Sequence, residues 1–431
     1  MDRSFTYVIL AMNMIVAIIY FVKKNNELPF FLALFNVIVE YRVIALELGK
    51  TKFVNYDYGI NFSFSMDYAY IASNMILLGT SIMMYSYMLF YKPGKKTIKD
   101  NNQLLKLFVG QNRKIIIIGL CIFSLISIVV SGSDVGGYST LIRVGTSSFI
   151  ILLFLVIFFL NSKNRTLRIW YVVIFIFLAA ITYSTALRFQ FLGWIIPIGY
   201  FWGRNLKPAR KITLCIGGLF LVLLIFSLAG AMRNSVISGK GFSEVYQLSL
   251  DRLEAAEDVN FIDGFIMLYQ IYPDVLDYDY GLEHVEILLR PIPRALWPDK
   301  PQASWVRKYQ EKYSGNVSDS AGFSPTIWGV FYSEGGVPGI IILSILWAWF
   351  LSYIYRSFSS AFNSDLSVLL IGILLSSLIP IFRSGDMAGD FAIVLMSYWP
   401  IIVFARSYKK FVKRRLKLEL RKKLFARWQL E

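Results

Sequence analysis

The sequence predicts an all-α polytopic membrane protein of about eleven transmembrane helices, with one large loop of short helices on the non-cytoplasmic side. Three observations carry this. The chain of 431 residues is 56% hydrophobic and 17% charged. Its apolar residues fall in uninterrupted runs, many of them close to the roughly 20 residues needed to cross a bilayer core about 30 Å thick. The basic residues sit in alternate connecting segments, and a single stretch of about a hundred residues interrupts the apolar runs.

The spans lie near 5–22, 29–46, 68–91, 114–131, 145–160, 169–186, 189–203, 212–231, 337–355, 365–381 and 388–405. The first, Phe5 to Val22, has no small-residue cleavage site before Lys23-Lys24 and reads as a retained span. The second contains Glu40 and Arg42, which predicts an interior, partly polar helix whose charges are paired or line a cavity. Segments 23–29, 92–114, 161–168, 204–211, 356–364 and 406–431 hold 28 of the 44 Lys and Arg residues and alternate correctly for eleven spans, so they are expected on the cytoplasmic side. The net charge of +16 is thereby a topology signal and not a nucleic-acid footprint. The organisation that follows is spans one to eight in 1–231, a large external loop in 232–336, spans nine to eleven in 337–405, and a basic tail in 406–431. Cys121 and Cys215 lie inside apolar runs, where neither a disulfide framework nor a metal cluster is expected. In the tail, Phe411, Val412, Leu416, Leu420, Leu424 and Trp428 recur at near-helical spacing among Lys and Arg, predicting an amphipathic helix on the anionic cytoplasmic leaflet.

The loop is too long to be a mere connection. Phe261, Ile262, Phe265, Ile266 and Tyr269, and Leu248, Leu253 and Ala256 upstream, repeat at helical spacing and predict short amphipathic helices lying on the membrane domain. In Arg290-Pro-Ile-Pro-Arg-Ala-Leu-Trp-Pro-Asp-Lys-Pro301, the prolines force an extended course that holds Arg290, Arg294 and Lys300 on a stiff strip. Arginine suits bidentate recognition of phosphate, so the strip fits a lipid-linked phosphate or diphosphate; contact with lipid headgroups is the plainer alternative. Ser324-Pro325 reads as a helix N-cap followed by proline, and Gly335-Gly336-Val-Pro338-Gly339 as the break before the ninth span. Two helix N-termini are then expected at the outer surface, where they attract anions. Glu334, just before the break, is either a capping or solvated carboxylate or a site residue.

Arg143, Arg188, Arg233 and Arg383 each fall at or near an outer span end, where the charge rule predicts few cations. They are snorkelling structural residues or, together with Arg290, Arg294 and Lys300, a diphosphate-binding set; Asp386 and Asp390 are candidate partners of Arg383. Candidate acid or base groups are His284, the sole histidine, with Glu283, Glu286, Asp263 and Glu334. With one histidine and no paired ligands at helical spacing, a catalytic zinc is not expected, and no metal or cofactor is predicted. No Walker A or Rossmann glycine pattern is present, so the driving energy of any reaction has to arrive with an activated substrate.

Tyr280-Gly281, then Pro291-Ile-Pro-Arg-Ala-Leu-Trp-Pro-Asp-Lys-Pro301, then Ser324-Pro-Thr with Gly335-Gly336 and Gly339, resembles Wzy-type O-antigen and oligosaccharide repeat-unit polymerases. The many-span plan with one large periplasmic loop also looks like that family. The resemblance implies a GT-C-like glycosyltransferase of the bacterial inner membrane, working on the periplasmic face. Polyprenyl diphosphate-linked oligosaccharide would be donor and a second lipid-linked unit acceptor, with membrane lipids and a chain-length regulator protein as further partners. Arg290 and Arg294 lie within the matching motif; Arg188, Arg233, Arg383, Arg143 and Lys300 are expected at the diphosphate, and His284 or Glu283 near the acceptor hydroxyl. An O-antigen ligase is the rival in the same class, and a transporter or flippase for lipid-linked oligosaccharide the rival in another. A transporter should show polar, broken helices near the bilayer midplane.

Overall fold

A computed structural model describes residues 3–53, 62–94, 102–131, 138–159, 165–182, 188–238, 242–254, 259–290, 292, 296–297, 299–301, 308, 324–361, 365–383 and 387–428. Among them the regular structure is helical: α1 (Ser4–Lys24), α2 (Leu28–Glu47), α3 (Met66–Phe90), α4 (Asn102–Ser131), α5 (Tyr138–Phe159), α6 (Arg165–Thr182), α7 (Arg188–Gly203), α8 (Pro208–Ser238), α9 (Phe242–Glu254), α10 (Phe261–Ile271), α11 (Leu282–Leu289), α12 (Thr326–Ala361), α13 (Asp365–Arg383) and α14 (Met387–Trp428). Of these, α1, α2, α8, α12, α13 and α14 contain stretches long and apolar enough to cross a membrane. That is the make-up of an α-helical membrane-spanning protein. The other five apolar stretches expected to span fall largely on α3 to α7.

The chain divides into two compact units. One comprises Met1–Lys92, Leu206–Tyr353 and Leu378–Ala392. Its first three helices are joined by polar side chains, as expected where lipid supplies no hydrophobic drive for helix association. Thr6 bonds Asn74 at 2.9 Å, Asn13 donates to Ser81 at 2.7 Å, and Asn26 donates to the Tyr87 hydroxyl at 2.8 Å. The charges of α2 are paired inside this unit, as the sequence suggests: Glu40 accepts from Arg3 and Ser73, and Arg42, at 0% exposure, meets Asp263 of α10 at 2.7 Å.

The other unit comprises Pro93–Asn205, Ile354–Ser377 and Ile393–Glu431, and its interior is a large apolar cluster drawn from α4, α5, α7, α13 and α14. Gly372 lets α13 approach α7, where an added Cβ would stand 2.7 Å from the Pro197 Cα. The expected tail helix forms, but as an uninterrupted continuation of the last apolar stretch. Where the tail leaves that stretch it packs on protein: Phe404, Tyr408 and Phe411 meet Phe108 of α4 at 5.2 to 5.4 Å between ring centroids, while the side chains of Leu420, Leu424 and Trp428 lie outside the described residues. The segment of α4 ahead of its expected span supplies Leu105, Phe108 and Val109 to that contact, which reading spans alone does not reveal.

Candidate functional site

Residues 259–290 and 324–353, with a few described positions between them, build the site around a break in α12. Gly336 holds φ +64° and ψ −147°, conformational space closed to residues with a Cβ, and an added Cβ there would stand 2.7 Å from the Tyr278 hydroxyl. A helix interrupted at this point leaves carbonyls without helical partners. The loop before α11 supplies them: the Asp279 N–H donates to the Ser333 carbonyl at 2.9 Å and the Tyr280 N–H to the Glu334 carbonyl at 3.1 Å. The expected break is therefore present, and it is also a docking point.

The limb of α12 before the break departs from expectation in two ways. Its cap is Thr326, which sits at φ +70° with its hydroxyl accepting from the Gly329 N–H at 3.3 Å; Ser324-Pro325 lies ahead of the helix. Its N-terminus is buried and not exposed. Thr326, Ile327 and Trp328 are each 0% exposed, and Trp328 packs on Phe35 and Phe382 and against Gly79, midway along α3. The limb thus reaches into its unit. α10 does the same: Phe261 stacks on Phe35 at 5.5 Å, and Phe261, Ile262, Phe265, Ile266, Met267 and Leu268 are all buried. The spacing predicts an amphipathic surface helix, whereas an eleven-residue helix apolar on nearly every side is a buried or re-entrant segment. Asp263, a candidate acid or base, is the carboxylate that neutralises Arg42.

At the break, Glu334 turns its buried carboxylate toward the start of α11. It accepts from the His284 backbone N–H at 3.3 Å and lies 2.8 to 2.9 Å from His284 Nδ1. The Trp347 indole N–H donates to His284 Nε2 at 2.9 Å. An indole only donates, so Nε2 is the accepting nitrogen and Nδ1–H donates to Glu334, the neutral tautomer. Both ring nitrogens are thereby engaged, and His284 fastens α11 to α12 on either side of the break. Its use as a base would require displacing Trp347. Glu334 is buried and not solvated, and it accepts from a backbone N–H in the first turn of α11 as a cap does.

Glu283 and Glu286 are buried at 2% and 3% exposure, and Glu286 pairs with Arg290 at 3.0 Å, leaving the arginine side chain 41% exposed. Lys300, itself buried, donates to the carbonyls of Ile292 at 3.0 Å and Leu289 at 3.4 Å. It secures the course of the proline strip to the end of α11. Beside the break, Asp279 accepts from the Tyr272 hydroxyl at 3.0 Å and from Lys308. Burial holds the Asp279 carboxyl above the usual range against the pull of Lys308 and Tyr272, with Glu334 adding to the rise. Burial likewise raises the Tyr272 phenol.

The remaining site candidates are placed in part. Arg294 and Asp386 lie outside the described residues. Arg143 lies within α5 and Arg188 opens α7, in one unit; Arg233 lies near the end of α8, in the other, and the side chains of these three lie outside the description. Arg383 closes α13 and Asp390 lies in the first turn of α14. Trp347 and the Asp279–Lys308 pair are the contributors that motif reading missed. Nothing near Trp347 in sequence marks it, and it is found only through the fold. No family model, curated protein or solved structure matches the chain.

Proposed function

We propose that this chain is a GT-C-like glycosyltransferase of the bacterial inner membrane, with eleven spans and its site toward the periplasm, that polymerises lipid-linked oligosaccharide repeat units of O-antigen or a related surface polysaccharide. The observation that carries the reading is the treatment of Arg290. A buried carboxylate, Glu286, holds the guanidinium at the end of a helix that Glu334, His284 and Trp347 bind to an apolar membrane-type helix, while the side chain stays substantially exposed. A pre-positioned guanidinium beside a bilayer is what a lipid-linked diphosphate requires.

In the proposed reaction the acceptor hydroxyl oxygen forms a bond to the donor's anomeric carbon as the bond from that carbon to the diphosphate oxygen breaks. The diphosphate leaves with the electron pair, stabilised by Arg290 and Arg294, and takes up the hydroxyl proton. Positioning supplies much of the rate, since the leaving group is already activated. Lys300 holds the strip, and His284 with Glu334 holds the helix from which Arg290 projects.

One observation favours the second reading, a flippase: α12 is broken and a charged pair is buried in the same unit. The carbonyls at that break already accept from Asp279 and Tyr280. A lipopolysaccharide ladder gel from a strain lacking the protein, complemented with wild type, Arg290→Ala or Arg294→Ala, separates the readings. Expected are loss of the ladder with single external units retained, rescue by wild type, and no rescue by either variant despite normal membrane insertion. A normal ladder from both variants overturns the diphosphate assignment. Single units trapped inside indicate the flippase, and loss of every O-unit a ligase or flippase.

A further inference from the structure

The short helix α11 is inside out for water. Its two carboxylates, Glu283 and Glu286, are buried at 2% and 3%, while Val285 and Leu288 are 47% and 78% exposed. Leu296 and Trp297, on the strip that Lys300 ties to this helix, are exposed as well. A water-facing helix places these groups the other way round. Leaving a leucine in water forgoes roughly 1.5–3 kcal/mol of burial.

The fastening of α11 says what covers this face. His284, at the start of α11, is bonded at 2.9 Å to Trp347 of α12. From Val337, just after the break, to Trp347 is about 15 Å along a helix axis at 1.5 Å per residue, and a helical side chain leans back by about one turn, near 5 Å. Hence α11 is bonded to α12 roughly 10 Å along the apolar stretch, beyond its mouth. The α12 residues flanking Trp347 are themselves exposed and apolar: Ile342, Ile345, Leu346, Trp349 and Phe350. Such a surface on a membrane-spanning helix is the one that faces lipid. At the end of α11 stands a cation, Arg290, suited to the headgroup layer.

We infer that α11, with Leu296 and Trp297, is embedded in the bilayer leaflet on the side of the α12 break, its Val285–Leu288 face in contact with lipid hydrocarbon. The buried glutamates are then the ordinary inward-facing charges of a membrane helix. The segment is an interfacial anchor within the long loop and not an aqueous lid. This holds whichever reaction the protein performs, because it uses only burial, exposure and the bond to Trp347.

The test places a polarity-sensitive fluorophore on Leu288→Cys, and separately on Val285→Cys, in full-length protein whose Cys121 and Cys215 are replaced by serine, reconstituted in lipid nanodiscs. Lys50→Cys, at an exposed ion pair, provides the aqueous reference. Expected at both α11 positions are blue-shifted emission and quenching by acyl-chain nitroxide lipids several-fold stronger than by a water-soluble nickel complex, with the order reversed at Lys50. Having two positions guards against one variant failing to fold. Quenching of both α11 probes by the aqueous complex, as at Lys50, overturns the inference. So does shielding that appears only with two copies per disc, since protein would then cover the face.

Discussion

Two short helices of the same long segment, α10 and α11, treat apolar surface in opposite ways. Both carry acidic groups and both bury them. In α10 the aliphatic and aromatic side chains are buried too, against α2, α3 and the first limb of α12, and its one carboxylate meets a guanidinium with both partners at 0% exposure. In α11 Val285 and Leu288 point outward, whereas Glu283 and Glu286 turn in and His284 bonds to α12. The contrast teaches that in a membrane protein the reliable direction is that of the charge, inward and toward a partner. Apolar residues accept either protein or lipid, because lipid is as apolar as they are.

The largest expected effect breaks the ion pair of α10. Arg42→Met leaves Asp263 buried without its main partner and is expected to destabilise the protein by about 3–5 kcal/mol, while Arg42→Met with Asp263→Leu recovers most of that loss. Thermal melts of the purified protein in one detergent measure both, and equal destabilisation by single and double variants would remove the pair from its structural role. The same melts sharpen the comparison of helices. Phe265→Ala in α10 should cost about 3–5 kcal/mol, as a fully buried aromatic does, and Leu288→Ala in α11 about 0.5 kcal/mol or less. Similar costs would mean that protein covers both helices.

Much of this was legible in sequence, and the exceptions have physical causes. Uninterrupted apolar runs locate the long helices because a span must be apolar throughout, and Glu40 and Arg42 correctly mark α2 as interior because unpaired charge is too costly there. The Gly335–Gly339 break is legible because Gly336 alone among residue types tolerates its backbone angles without strain. What fails is direction. Periodicity in α10 predicts an amphipathic helix lying on the membrane domain, yet its polar Asp263 meets Arg42 and the Gln270 amide exchanges two hydrogen bonds with the backbone of Ser63. Both partners lie some 200 residues away, beyond any local pattern. At the site, Arg290 and its motif are visible in the sequence, whereas the triad of Glu334, His284 and Trp347 depends on how the chain folds back at the break.

An intermediate effect is expected at Gly336. Alanine there meets both an unfavourable backbone conformation and the Tyr278 hydroxyl, so Gly336→Ala should cost roughly 1–3 kcal/mol and loosen the contact of 278–280 with the break. Adding Tyr278→Phe removes the nearest atom and should return only part of the loss, because the backbone strain remains. Hydrogen exchange at the Asp279 and Tyr280 amides reads the contact directly. Unchanged protection in Gly336→Ala would show that those amides are held by something other than the break.

The smallest effect is one of pH. Asp279 is held by Tyr272 and Lys308, faces the charge of Glu334, and has its pKa raised above the unfolded value of about 3.9 chiefly by burial. The native state therefore binds the proton more tightly than the unfolded chain. The stabilisation from this group is complete below about pH 4 and is lost as pH rises through the folded pKa. Comparing melts of wild type with Asp279→Asn across about pH 4 to 7, the wild type should lose ground as pH rises, by less than about 1.4 kcal/mol per pH unit. The opposite slope, with the wild type gaining on the variant, would mean that the Lys308 pair outweighs burial and that the carboxylate is preferred in the fold. Lys308→Met supplies the complementary arm: it removes a group that pulls the pKa down, so the rise should grow and the loss of stability should continue to higher pH.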